Sequence, residues 1–358
     1  MASVPLSYEL LAEIFKIYAN FQDTSPEALL QVCRTWNAVA SQESILWTKF
    51  VISKPMIRST NKNISSREED PTLTRDWVGI FERRLARAGP SNPLQVSILA
   101  LHELLLPVID VVSGGGPEYD HLPRWETLNM RTFQLIGSNS WPGSWKEIGN
   151  LISQPMPSLR RLTLQENKID FYAFPNAPNL EELNILQSRS PRIGRRNSFP
   201  SLQKIHITYA KYAFSEVRLK RFSLRTIEKL IIGGETEIGR ECEGTYPSLS
   251  TLELMLRVPC GIAYMSAPKL RHLILRNVDL FCLIYPPPDG ENQHSNPKAK
   301  NRQVLEMLAN SFPTVEVLEV HENLRNLVSE MVSGGAPFFT GLKELRTVSE
   351  EERGWTYD

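Results

Sequence analysis

The sequence predicts an α/β fold, with a short helical unit at its amino end and, behind it, a curved sheet built from one repeated segment. Two patterns carry the prediction. Apolar residues recur at three-to-four spacing before residue 53, and the run L-x-x-L-x-L returns many times after residue 93. A chain of 358 residues with 41% hydrophobic content can bury more than one core. Forty basic and forty acidic residues cancel, so no whole-molecule field draws the chain to nucleic acid or to an anionic membrane.

In chain order, Leu10, Leu11, Ile14, Phe15 and Tyr18 make one amphipathic stripe, with Ser7 placed to cap it. Leu29, Leu30, Val32, Cys33, Trp36 and Ala40 make a second. Ser25, Pro26 and Glu27 give that helix a cap, a first-turn proline and an early acid. A third apolar cluster, Ile45, Leu46, Trp47, Phe50, Val51 and Ile52, closes the unit. At about 45 residues a single core is marginal, so a covering partner is expected.

Residues 54–74 are rich in Ser, Asn and charge and read as a linker. Residues 75–92 read as a connecting helix: Trp77, Ile80, Phe81 and Leu85 hold helical spacing, Thr74 precedes them as a cap, and Gly89-Pro90 stops them. Leu94, Val96 and Ile98 then alternate as a strand does and should receive that helix's stripe. The apolar segment from Ser97 to Val112 is too short to span a bilayer and carries His102, Glu103 and Asp110.

From residue 93 to residue 350 the repeat dominates. Six times a proline stands two residues before an apolar anchor: Leu159, Leu180, Leu202, Leu249, Leu270 and Val315. A seventh copy at Ile227, Leu230 and Ile232 lacks the proline, while Trp125, Leu128, Met130 and Leu342, Leu345 read as worn end copies. The middle anchors Leu162, Leu183, Ile205, Leu230, Leu252 and Leu273 lie 21, 22, 25, 22 and 21 residues apart. The next gap, to Leu318, is 45, where a Pro- and charge-rich insert at 284–300 replaces one unit and a short helix around 302–310 follows it. Each L-x-L pair aims at one face, which is buried only when the next copy stacks on it.

The first unit resembles the F-box family in the ordered segments L-S-Y-E-L-L-A-E-I-F, A-L-L-Q-V-C-R-T-W-N and L-W. It departs where that family opens with Leu-Pro: here Leu6 is followed by Ser7, and the nearby proline is Pro5. Residues 93–350 resemble leucine-rich repeat proteins of an irregular subtype; the asparagine of the regular repeat stands at Asn167 and Asn323 but not at Ser188, Ala210 or Val278. The resemblance implies a three-helix F-box at 1–53, its third helix in the cluster Ile45 to Ile52, and a curved leucine-rich repeat solenoid at 93–350. It also implies a Skp-type adaptor and a cullin as partners, and a protein substrate held on the repeats. The adaptor-facing residues would be Pro5, Leu6, Leu10, Leu11, Ile14, Leu29, Val32, Cys33, Trp36 and Trp47. Some of these must also serve the unit's own core, and sequence does not divide the two roles.

The non-anchor positions of the repeat point into the expected concave surface. Those nominated for substrate are Arg161, Gln165, Glu182, Lys204, His206, Lys229, His272 and Arg276. Both charge signs mixed with apolar residues suit a protein better than nucleic acid.

Little chemistry is visible. No histidine sits in H-x-x-x-H or in a nucleophile setting, and the glycine runs at 113–116 and 333–335 lack the lysine and spacing of a phosphate loop, so they read as turns. Cys33, Cys242, Cys260 and Cys282 form no C-x-x-C pair and read as reduced thiols in a cytoplasmic or nuclear protein. The basic run at 83–87 reads as a solvated helix face, with a phosphate site as the alternative, and that at 192–196 as a solvated loop, with an anion or phosphorylation site as the alternative. The expectation is therefore a non-catalytic substrate receptor without cofactor or metal. The rivals are a repeat scaffold whose degenerate F-box joins no ligase and, more distantly, a hydrolase decorated with repeats.

Overall fold

The computed structural model describes residues 6–20, 26–53, 71–99, 106–115, 120–131, 150–151, 153–165, 176–186, 199–209, 224–234, 244–256, 262, 265–276, 297–334 and 338–348. Pro5, positions 54–70 of the linker, Asn167, Ser188, the 192–196 run, Ala210, Val278, the 284–296 part of the insert and the cysteines beyond Cys33 lie outside them. The chain is α/β and divides into two compact units, Met1–Arg160 and Arg161–Asp358, a division that falls inside the expected repeat domain. Among the described residues no helix is long and apolar enough to cross a membrane.

In the first unit, helix α1 (Tyr8–Asn20) begins at Ser7, whose hydroxyl oxygen accepts from the Leu10 amide at 3.3 Å. The expected second helix is broken in two, a correction to the sequence reading. A 3-10 turn covers Pro26–Gln31, and α2 (Arg34–Gln42) starts afresh after Cys33. Cys33 is extended, with φ −161° and ψ 172°, and its sulfur accepts from the Trp36 amide at 3.5 Å as a cap would. Asn37 holds the break by donating its side-chain amide to the Leu30 carbonyl at 3.0 Å.

The third apolar cluster is also not a helix throughout. A 3-10 turn (Ser44–Trp47) leads into strand β1 (Lys49–Ile52), which buries Phe50 and Ile52 alternately. Strand β1 pairs in parallel with β2 (Leu94–Ile98), and β2 with β3 (Trp125–Arg131). The cluster that closes the helical unit is thus the first strand of a sheet. Helix α3 (Pro71–Ala88) starts three residues before the expected cap, with Pro71 at its first position. It lays Phe81 edge-on to Phe50 at 5.4 Å, and Arg84 forms a two-pronged ion pair with Glu27. Gly89, at φ +73°, ends it by donating to the Leu85 carbonyl, the left-handed stop foreseen at Gly89-Pro90. A further helix, α4 (Leu106–Ser113), packs on α3.

The second unit is built on parallel strands β4 (Arg161–Gln165), β5 (Glu182–Leu186), β6 (Lys204–Tyr209), β7 (Lys229–Gly234), β9 (Thr251–Leu256), β11 (His272–Leu275), β12 (Val317–His321) and β13 (Glu344–Val348). Short strands β8 (Gly244–Thr245) and β10 (Met265–Ser266) form a separate pair. The middle anchors lie opposite one another in unbroken register: Leu162, Leu183, Ile205, Leu230, Leu252, Leu273, Leu318 and Leu345. The repeat alignment is therefore the hydrogen-bond register. Strand β11 bonds directly to β12, so the 45-residue gap opens no gap in the sheet; helix α5 (Pro297–Ser311) lies between them in the chain.

The recurring proline has a local reason. The amides of Leu159, Leu180, Leu202, Leu249, Leu270 and Val315 each donate to the carbonyl three residues back, closing a turn with proline at its second position, where its fixed φ is already correct. The residue before each proline, Met156, Ala177, Phe199, Tyr246, Ala267 or Phe312, is buried. After β12 the chain enters helix α6 (Glu322–Ser333), which buries Leu324, Leu327, Val328 and Met331. Asn323 is therefore a first-turn helix residue and not a loop asparagine of the repeat, another correction.

Candidate protein-docking site

Two adjacent leucines on α1 have opposite fates. Leu11 and Phe15 face inward and are buried, whereas Leu10, Ile14 and Ile17 line the outer stripe at four- and three-residue spacing, 39 to 61% exposed. Leu6, Tyr8, Val32 and Ile45 are exposed as well. These seven comprise all but one of the large exposed apolar side chains among the described residues; the other is Val332. Single exposed leucines are ordinary on a protein surface, but seven within forty positions of one small unit are a concentration that calls for a cover.

The structure thus divides nine of the ten residues that sequence left undivided, Pro5 lying outside the described residues. Leu6, Leu10, Ile14, Val32 and Cys33 are open to a partner. Leu11, Leu29 and Trp47 are covered by the unit's own side chains, and Trp36 is half-buried, edge-on to Phe15 at 5.0 Å. Trp47 is fully enclosed and donates its indole N–H to the Ala40 carbonyl at 2.8 Å. Tyr8, Ile17 and Ile45 belong to the exposed set but were not nominated; the α1 spacing from Leu10 and Ile14 points to Ile17.

On the sheet of the second unit, the non-anchor residues form rows. One row reads Arg161, Glu182, Lys204, Lys229, Thr251, His272, Val317 and Glu344, and the next Thr163, Asn184, His206, Ile231, Glu253, Ile274, Glu319 and Arg346. Glu253, buried, takes Arg276 on one side and Lys229, at 3.7 Å, on the other. Glu182 and Lys204 lie 3.8 Å apart, and Asn184 donates to Thr163 and to Glu182. Glu319 stands between His272 at 3.0 Å and Arg346 at 3.3 Å, and Arg346 also pairs with Glu344. Of the nominated residues, Lys229 and Arg276 meet through Glu253, and Glu182 meets Lys204. Arg161 stays exposed at the edge of its row, Gln165 is half-buried at the end of β4, and His272 pairs with a partner two strands from Glu253. Glu253, Glu319, Glu344 and Arg346 were not nominated, because their roles depend on which strand lies beside which.

His206 is buried in the second row, and loss of solvent pushes its pKa down to about 4; Glu253 and Glu182 oppose the shift and Lys229 adds to it. The imidazole is therefore neutral at physiological pH. In the unfolded chain it takes up a proton near 6.5, whereas the folded chain resists until about 4, so stability is full above the higher value and declines as pH falls between the two. The loss should reach the order of 2 kcal/mol at pH 4. Urea unfolding of the wild type and His206→Gln between pH 7 and pH 4 checks this, the variant showing the flatter profile.

Among the described residues no three His, Cys, Asp or Glu side chains gather at metal-binding distance. The glycine run at 113–116 begins as the end of α4: Gly114, at φ +102°, could not accept a Cβ without collision with the backbone of Asp120 and His121. No family model matches the chain, and no curated protein matches it.

Proposed function

We propose that this chain is the substrate-recognition subunit of a Skp-cullin-F-box ubiquitin ligase, with its first helices as the F-box and strands β4 to β13 as an irregular leucine-rich repeat solenoid. The single observation that carries the reading is the exposed apolar stripe of α1, Leu10, Ile14 and Ile17, extended by Leu6 ahead of the helix and by Val32 and Ile45, on the segment whose wording resembles the F-box. Such a stripe is what an adaptor's helices would cover. The chain itself performs no chemistry in this reading. It holds a client near a transferase brought by the scaffold, raising the effective concentration of the client's lysines.

A repeat scaffold that joins no ligase is the second reading, and what favours it is Ser7, which occupies the place of the family's proline and caps α1 in its stead. Co-expression with a Skp-type adaptor and purification on a tag carried by the adaptor separates the two. The receptor reading expects a stoichiometric complex; a chain that elutes alone refutes it.

A further inference from the structure

We infer that the sheet face of the second unit takes an acidic protein segment carrying apolar side chains. The inference rests on the receptor reading for its biological sense, and the charges of this face differ in height above the sheet. By formal count the face is nearly balanced, since Arg161, Lys204, Lys229, Arg276 and Arg346 stand against Glu182, Glu253, Glu319 and Glu344. By depth the balance breaks over strands β4 to β11, where the Glu253 carboxylate is only 9% exposed between Lys229 and Arg276 while Lys204 stands 54% exposed and Arg161 is open; at β13 Glu344 and Arg346 stand equally high.

There a partner approaching from solvent meets Arg161 and Lys204 first, with Glu253 behind them, where it holds Lys229 and Arg276. Over strands β4 to β11 the imbalance is also formal, with Arg161, Lys204, Lys229 and Arg276 against Glu182 and Glu253. His206, buried and neutral, adds no charge there. Between the cations lie Ile231 and Met255, half-buried, which suit apolar side chains of an extended segment. An anionic nucleic acid would want broad stacking surfaces, and among the residues of the two rows there is no Phe, Tyr or Trp.

The test uses the full chain and three fluorescein-labelled probes: a peptide of Glu interspersed with Leu, its counterpart with Lys for Glu, and oligothymidylate. The Glu peptide should bind best, weaken with added salt, and lose about tenfold in affinity in Arg161→Glu/Lys204→Glu, with the Arg161→Gln/Lys204→Gln pair in between. Arg302→Glu, on α5, should leave its binding unchanged. Equal binding of the two peptides, tightest binding of oligothymidylate, or an equal loss in Arg302→Glu would overturn the inference. Adaptor co-purification of the same variants is a separate arm. An intact complex without acidic preference sinks this inference alone, and acidic preference in a chain that ignores the adaptor sinks the receptor reading alone.

Discussion

Leu10→Asp should abolish co-purification with a Skp-type adaptor and leave the fold intact. The side chain is about half exposed and contributes little to the core, so stability should change by no more than about 0.5 kcal/mol. A central apolar anchor of a docking surface is worth about 2 kcal/mol or more. A carboxylate buried against the partner costs further, so affinity should fall at least about 30-fold. Leu11→Asp is the informative neighbour. Its side chain is buried, so the same charge one position along should unfold the unit and lose adaptor binding only as a consequence. Circular dichroism and an adaptor titration on the two variants separate surface from core. Undiminished adaptor affinity in Leu10→Asp would remove the basis of the receptor reading.

That neighbouring pair shows where the sequence was legible and where it was not. Strand positions could be read because alternation and a 21- to 25-residue period leave one register that buries every L-x-L pair, and the sheet adopts it. The buried residues before the prolines could not be read. Met156, Ala177, Phe199, Tyr246, Ala267 and Phe312 share a position and not a type, and only the turn geometry gives the position meaning. The cluster from Ile45 to Ile52 is apolar on both sides of Thr48-Lys49, too short for helix and strand patterns to be told apart, so pairing with β2 decided the outcome. The break at Cys33 came from a thiol acting as a cap, a role seldom expected of that residue. The unnominated half of the charged face, Glu253, Glu319, Glu344 and Arg346, is chemistry between strands, and pairs of that kind appear only once register is known. Helix α6 did announce itself, through Leu324, Leu327, Val328 and Met331, but the repeat reading of Asn323 concealed it.

Trp47→Ala should be the most destabilising single change in the helical unit, by about 3–5 kcal/mol. The ring is fully enclosed, its N–H satisfies the Ala40 carbonyl of α2, and the Arg87 guanidinium of α3 lies 4.5 Å above its face. Truncation therefore opens a cavity, leaves a buried carbonyl unpaired and frees a cation at the place where α2, α3 and β1 converge. Trp47→Phe keeps most of the volume and loses the hydrogen bond, so its cost should be nearer 1–2 kcal/mol. Urea unfolding followed by circular dichroism reads both. Adaptor affinity should survive in Trp47→Phe, because the ring reaches no solvent from which a partner could touch it. The opposite pattern, unchanged stability with lost adaptor binding in Trp47→Ala, would return Trp47 to the docking surface where the sequence resemblance placed it. It would also mean that the helical unit opens when it meets its partner.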